Sequence, residues 1–80
     1  MVSTYKTKDF YLACLIMSNG YKFIDSANED KTVWFNFEMA DEKELHDLVG
    51  GFINYNAMVN VRMFTKSMAR LRKELDKYRR

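Results

Sequence analysis

Three groups of side chains in this chain have the right types for chemistry: His46 beside Asp47, the single Cys14, and the cations Arg62, Lys66, Arg70, Lys73, Lys77 and Arg80. Histidine titrates near neutrality and can move a proton. Acid–base catalysis also needs a nucleophile or a second base within reach, and none stands at a recognisable spacing from His46. His46 therefore reads as a surface residue. Cys14 is the only cysteine and lies in the apolar run Phe10-Tyr11-Leu12-Ala13-Cys14-Leu15-Ile16-Met17. It cannot form a disulfide within the chain, and a free thiol in such surroundings behaves as a small hydrophobe. One histidine and one cysteine leave a zinc-type site short of ligands. No calcium-loop spacing and no phosphate-cradling glycine loop is present. The expectation is a protein without cofactor, metal or catalysis that works by binding a partner.

The cations carry the strongest signal. Arg62, Lys66, Arg70, Lys73, Lys77 and Arg80 recur at spacings of three and four, and so do Val61, Phe64, Met68, Leu71, Leu75 and Tyr78. At about 100° per residue the basic set centres almost opposite the apolar one. Glu74 and Asp76 are expected on the flanks, leaving the basic stripe uninterrupted. Like charges four apart repel by a few tenths of a kcal/mol per pair, and a face serving solubility alone would mix signs. The macrodipole favours Lys77, Arg79 and Arg80 near a helix C-terminus but not Arg62 and Lys66 near its start. The pattern suits an electrostatic track for phosphates or for an acidic protein surface. The other reading is a solvated face. No groove-reading motif supports sequence specificity.

The elements that would position these residues follow from periodicity and punctuation. Thr7 is placed to cap an apolar helix that runs to about Ser18, and Asn19-Gly20 supplies its left-handed end. Tyr21–Ala27 and Thr32–Met39 read as strands joined by the polar turn Asn28-Glu29-Asp30-Lys31, an antiparallel hairpin. In the second strand Val33, Phe35, Phe37 and Met39 alternate with Trp34, Asn36 and Glu38. Trp34 is either a binding aromatic or, as expected here, covered by a helix on the second face. Asp41-x-x-Glu44 opens a second helix with Leu45, Leu48, Val49 and Phe52 inward. Gly50-Gly51 interrupts it, so either the helix loosens there or, as expected here, another backbone packs closely against it. Asn54, Asn56 and Asn60 take turn and capping roles, and Asn60 opens a long helix over residues 60–79. Met17 and Met68 read as core, whereas the other methionines could line an adaptable interface. The fold class is α+β, ordered helix, β-hairpin, helix, long C-terminal helix (αββαα), with a two-stranded antiparallel sheet packed by helices. Residues 1–80 form one domain, with an arm over 1–6 that has no fixed structure.

Eighty residues allow one modest core, which must rest on apolar packing, and 48% hydrophobic and 15% aromatic content makes that attainable. Dimerisation would help, with Leu71, Leu75 and Tyr78 as candidate contacts on a symmetry mate. Charge is segregated along the chain. Residues 1–60 hold five lysines against nine acids, a net of −4, and residues 61–80 hold eight cations against two acids, a net of +6. The longest apolar run is far short of a membrane span, and no secretory segment is evident, so a soluble cytoplasmic protein is expected.

Four segments together resemble a known family: Thr7-Lys8-Asp9-Phe10-Tyr11-Leu12-Ala13, Asn19-Gly20-Tyr21-Lys22, Val33-Trp34-Phe35-Asn36-Phe37, and Val59-Asn60-Val61-Arg62 with Phe64. They are similar, in order, to a family of short phage and bacterial proteins catalogued as a domain of unknown function, over roughly residues 7 to 76. The family commonly has a small residue where Val61 stands. No catalytic or ligand residues carry over. The resemblance implies an accessory protein of a phage, prophage or plasmid, and two partners follow as expectations. One is nucleic acid, bound through the basic helix. The other is a host defence or replication protein with an acidic surface, inhibited in the manner of anti-CRISPR proteins. A structural homodimer without ligand is the third reading.

Overall fold

The computed structural model describes residues 3–39, 41–53 and 59–78. Its elements are β1 (Ser3–Thr7), α1 (Phe10–Ser18), β2 (Phe23–Glu29), β3 (Thr32–Met39), α2 (Glu42–Ile53) and α3 (Val61–Asp76). The mixed α+β class holds, but the sheet has three strands in the order β1-β3-β2 and the element order is βαββαα. The expected structureless arm over residues 1–6 is corrected for its described part, residues 3–6, all of which are strand. Ser3–Thr7 pairs antiparallel with β3, setting Tyr5 opposite Phe37 and Thr7 opposite Phe35. Threonine and tyrosine suit a pleated, half-buried surface, and both sit where β3 turns Phe35 and Phe37 inward. Since β1 and β2 each run antiparallel to β3, they are parallel to one another, and α1 carries the chain from one sheet edge to the other.

The alternation read in β3 is the structural fact that organises the core. Phe35 and Phe37 are fully buried, with Val33 and Met39 beside them on the same face. They share one core cluster with Leu12, Ala13, Cys14, Leu15 and Ile16 of α1, Leu45 of α2 and Leu71 of α3. Phe23 and Phe37 meet edge-on at 5.6 Å. Burying a side chain of this size contributes about 1.5–3 kcal/mol, so the two inward phenylalanines of β3 hold the sheet to the helices.

The hairpin closes on Asp30 and Lys31, whose φ angles are 51° and 68°. Both central residues of a type I′ turn need positive φ, because that twist matches the twist of the strands. A register shift between Phe23 and Asp25 leaves Ile24 as an extra residue, 46% exposed. The first hairpin strand accordingly runs Phe23–Glu29 and starts later than expected.

Caps fix the helices. Asp9, not Thr7, caps α1, its Oδ1 accepting from the Leu12 N–H at 3.0 Å, while Thr7 Oγ1 accepts from the Asp9 N–H at 3.1 Å. Gly20 at φ 90° follows Asn19 and ends α1 as expected. Asp41 Oδ1 accepts from the Glu44 N–H at 3.0 Å, and Asn60 Oδ1 accepts from the Met63 N–H at 3.1 Å. Asn54 and Asn56 lie outside the described residues. The close backbone approach expected at Gly50 does not occur, because a Cβ there would meet no atom within 4 Å. The helix runs through it unbroken. α3 spans sixteen residues, about 24 Å at 1.5 Å per residue, and ends at Asp76 instead of 79.

Candidate functional site

α3 is built around one inner line. Leu71 is fully buried, Ser67 and Glu74 are buried beside it, and Phe64, Met68, Leu75 and Tyr78 are half-buried. Val61 is corrected. At 71% exposure it stands outside the inner line it was assigned to, because α3 begins there. Arg62, Lys66, Arg70 and Lys73 are all exposed on the opposite side. Among the described residues, none of these four lies within 4.0 Å of a carboxylate. The rise from Arg62 to Lys73 is about 16 Å, which matches about five base-pair steps of duplex. Arg80 lies outside the described residues.

Lys77 departs from the expected stripe. Its Nζ donates to both Glu74 carboxylate oxygens at 3.0 Å, so its charge is already matched. Glu74 is not a flank residue either. It is 8% exposed and accepts a 2.7 Å hydrogen bond from Ser26 Oγ on β2. Tyr78 Oη lies 3.0 Å from the same Oγ and donates to the Ser26 carbonyl at 2.9 Å. The Ser26 hydrogen bond, with help from Lys77, holds the Glu74 carboxyl below its usual range even though burial opposes this. The sequence signal was available: Glu74 stands three residues after Leu71 and four before Tyr78, which places it on the inner side. The candidate dimer contacts change accordingly. Leu71 has no exposed surface, Tyr78 is hydrogen-bonded to the protein's own sheet, and Leu75 is packed against the core.

The second face of the sheet carries Trp34, which, contrary to expectation, no helix covers among the described residues. Trp34 is absent from the core cluster and lies instead under Lys6 Nζ at 4.8 Å and Lys8 Nζ at 6.0 Å. Such cation–π contacts are worth about 0.5–1 kcal/mol when exposed. Lys6 also reaches Glu29 at 3.7 Å, and Asn36 Nδ2 donates to Asp25 Oδ1 at 2.7 Å. Signs are mixed on this face and its polar groups satisfy one another, so it presents no single charge to a ligand.

The remaining chemical candidates are isolated. His46 is exposed on α2. Cys14 is wholly buried, and desolvation pushes its thiol up to about 11. A thiol held protonated in this way is a poor nucleophile at neutral pH. The Tyr21 hydroxyl is buried with no hydrogen-bond partner among the described residues, and burial raises its pKa with smaller contributions from Glu44 and Asp41. Among the described residues no three His, Cys, Asp or Glu side chains gather closely enough to hold a metal ion, and no helix is long and apolar enough to cross a membrane.

Fold and surface together define a small α+β domain whose sheet is covered by helices on one face among the described residues, with a cationic helix face turned outward. The chain belongs to the family described as Domain of unknown function (DUF5659), which matches residues 2–77. No curated protein and no solved structure matches the chain.

Proposed function

We propose that this protein is a non-enzymatic nucleic-acid-binding accessory protein that docks on phosphates through the outer face of α3. One observation carries the reading: Arg62, Lys66, Arg70 and Lys73 stand on one exposed helix face with no carboxylate partner among the described residues. Like charges kept together at i,i+4 spacing cost stability, and a polyanion that takes up those charges offsets the cost. The contacts are to phosphates, so affinity is salt-dependent and tolerant of sequence. A phage or other mobile element is the setting that this function fits. Lys77 is left out of the docking set because it serves Glu74.

Fluorescence anisotropy with labelled single-stranded and duplex DNA and RNA at two salt concentrations tests the proposal. Wild type is expected to bind at low salt and to weaken steeply as salt rises. The variant Arg62→Glu/Lys66→Glu/Arg70→Glu/Lys73→Glu, whose fold is checked by circular dichroism, is expected to lose binding. No binding of wild type to any of these nucleic acids at low salt overturns the reading. Capture of an acidic host protein that the same four substitutions abolish would then assign the face to protein contact, as in an anti-CRISPR-like inhibitor.

A further inference from the structure

A groove of about 340 Å³ separates the first turn of α1 from the last turns of α3, lined by Phe10, Tyr11, Arg72, Leu75 and Asp76. Its volume falls at the lower end of the range for small-ligand clefts. One wall is aromatic. Phe10 is fixed against the core, its ring 6.3 Å from Phe35 at an interplanar angle of 65°. Tyr11 stands edge-on to Phe10 at 5.5 Å and 82°, yet remains 56% exposed. The ring is braced from behind without being covered. Across the groove, Arg72 and Asp76 are both exposed, and no ion pair joins them among the described residues. The groove thus offers a flat apolar wall, a fork of donors and a carboxylate acceptor.

We infer that this groove takes one unpaired base of a single-stranded nucleic acid whose phosphates lie along α3. The inference rests on the reading of α3 given above and adds what the strand does with its bases. A nucleobase is planar, stacks on aromatic rings and shows both donors and acceptors at its edge, which matches Tyr11, Asp76 and Arg72 in turn. On the same helix Arg72 and Lys73 are neighbours about 100° apart, and Ala69 and the groove's own Asp76 lie between their directions, so a strand passing from the cations to the groove crosses Ala69 beside that carboxylate. Duplex keeps its bases paired and stacked, so it reaches the cations but not the groove.

Tyr11→Ala, Tyr11→Phe and Arg72→Ala are compared with wild type by anisotropy, using a labelled oligothymidine and a duplex of mixed sequence. Circular dichroism checks the fold of each variant. Tyr11→Ala is expected to weaken single-strand binding by about 5- to 100-fold, the scale of one lost base stack. Tyr11→Phe is expected to retain it, and duplex affinity to stay unchanged in both. Arg72→Ala is expected to weaken the single strand more than the duplex. Equal single-strand affinity in wild type and Tyr11→Ala overturns the groove assignment. If the α3 charge reversals still abolish binding in that case, the reading of α3 survives alone. If wild type binds no nucleic acid, both fail together. A second readout avoids the long strand: titration with guanosine 5′-monophosphate is expected to shift the Tyr11 ring resonances upfield. A shift that leaves Tyr11 untouched and moves only lysine and arginine signals counts against the groove.

Discussion

A glutamate buried among the cations of a helix looks out of place until its partners are named. Glu74 accepts from Ser26 Oγ at 2.7 Å and from Lys77 at 3.0 Å, and Tyr78 closes the cluster onto the Ser26 carbonyl. These bonds link residues 48 and 52 positions apart, so they fix the end of α3 to β2 in a way that local propensity cannot. Removing the acceptor leaves Ser26 and Lys77 without it, at a cost of about 1–3 kcal/mol. The linkage sign follows from the depressed carboxyl. A folded-state value below the ordinary 4.5 means that the stability from Glu74 is fully present above that value and is lost as pH falls through the depressed one. Thermal unfolding of wild type is therefore expected to shift to lower Tm on acidification below the ordinary glutamate range. Glu74→Gln should start from a lower Tm at neutral pH and show a shallower acid limb. Parallel limbs for the two proteins would show that Glu74 does not carry the linkage.

At the level of elements, two local choices are made against propensity, and each gives a stabilising substitution. Lys31 holds φ 68° in a turn that favours glycine at that position, and a non-glycine residue there is strained by about 1–2 kcal/mol. Lys31→Gly is expected to raise the unfolding midpoint in urea by the equivalent of about 1 kcal/mol. Gly50 sits inside α2 with open space where a Cβ would go, so Gly50→Ala is expected to add about 0.5–1 kcal/mol. A loss of stability at either site would place an unseen neighbour there. The same elements show what a sequence can and cannot disclose. Alternation in Thr32–Met39 fixed both the strand and its buried face, since Val33, Phe35, Phe37 and Met39 have only one face on which to agree. The Asp41 and Asn60 caps and the exposed line of Arg62, Lys66, Arg70 and Lys73 were legible because local spacing determines them. β1 was not. Its five residues have only Tyr5 and Thr7 turned toward the core, and its partner strand is some thirty residues away. Trp34 was misread for a related reason: alternation shows that it opposes Phe35 but not whether a second layer exists to cover it. The Lys77–Glu74 pair was missed because charge was read by stripe, whereas burial of Glu74 is set by Ser26 on another element.

For the whole molecule, the question is whether the acidic first sixty residues cancel the basic last twenty. Their net charges are −4 and +6, and at physiological salt a charge is screened beyond about 8 Å. Cancellation thus requires a carboxylate within about that distance, and among the described residues the one paired with an α3 cation inside 4.0 Å belongs to α3 itself. Four of the nine acids before α3 have other partners: Glu29 pairs with Lys6, Asp25 with Asn36, and Asp41 and Asp9 cap helices. The positive field over Arg62, Lys66, Arg70 and Lys73 therefore remains local to α3, and salt dependence counts its members. Four phosphate contacts give a slope of log K against log salt of about −3.6 on duplex and about −2.8 on a single strand. Each of the four lysines or arginines changed to glutamine should make that slope shallower by about 0.9 or 0.7, in any order. Lys77→Gln is the informative control. Its charge is matched by Glu74, so it should lower Tm while leaving the slope as it was. A slope near zero, or one that responds to Lys77 as strongly as to Arg70, would mean that the cations act one by one as solvated side chains and not as a shared docking face.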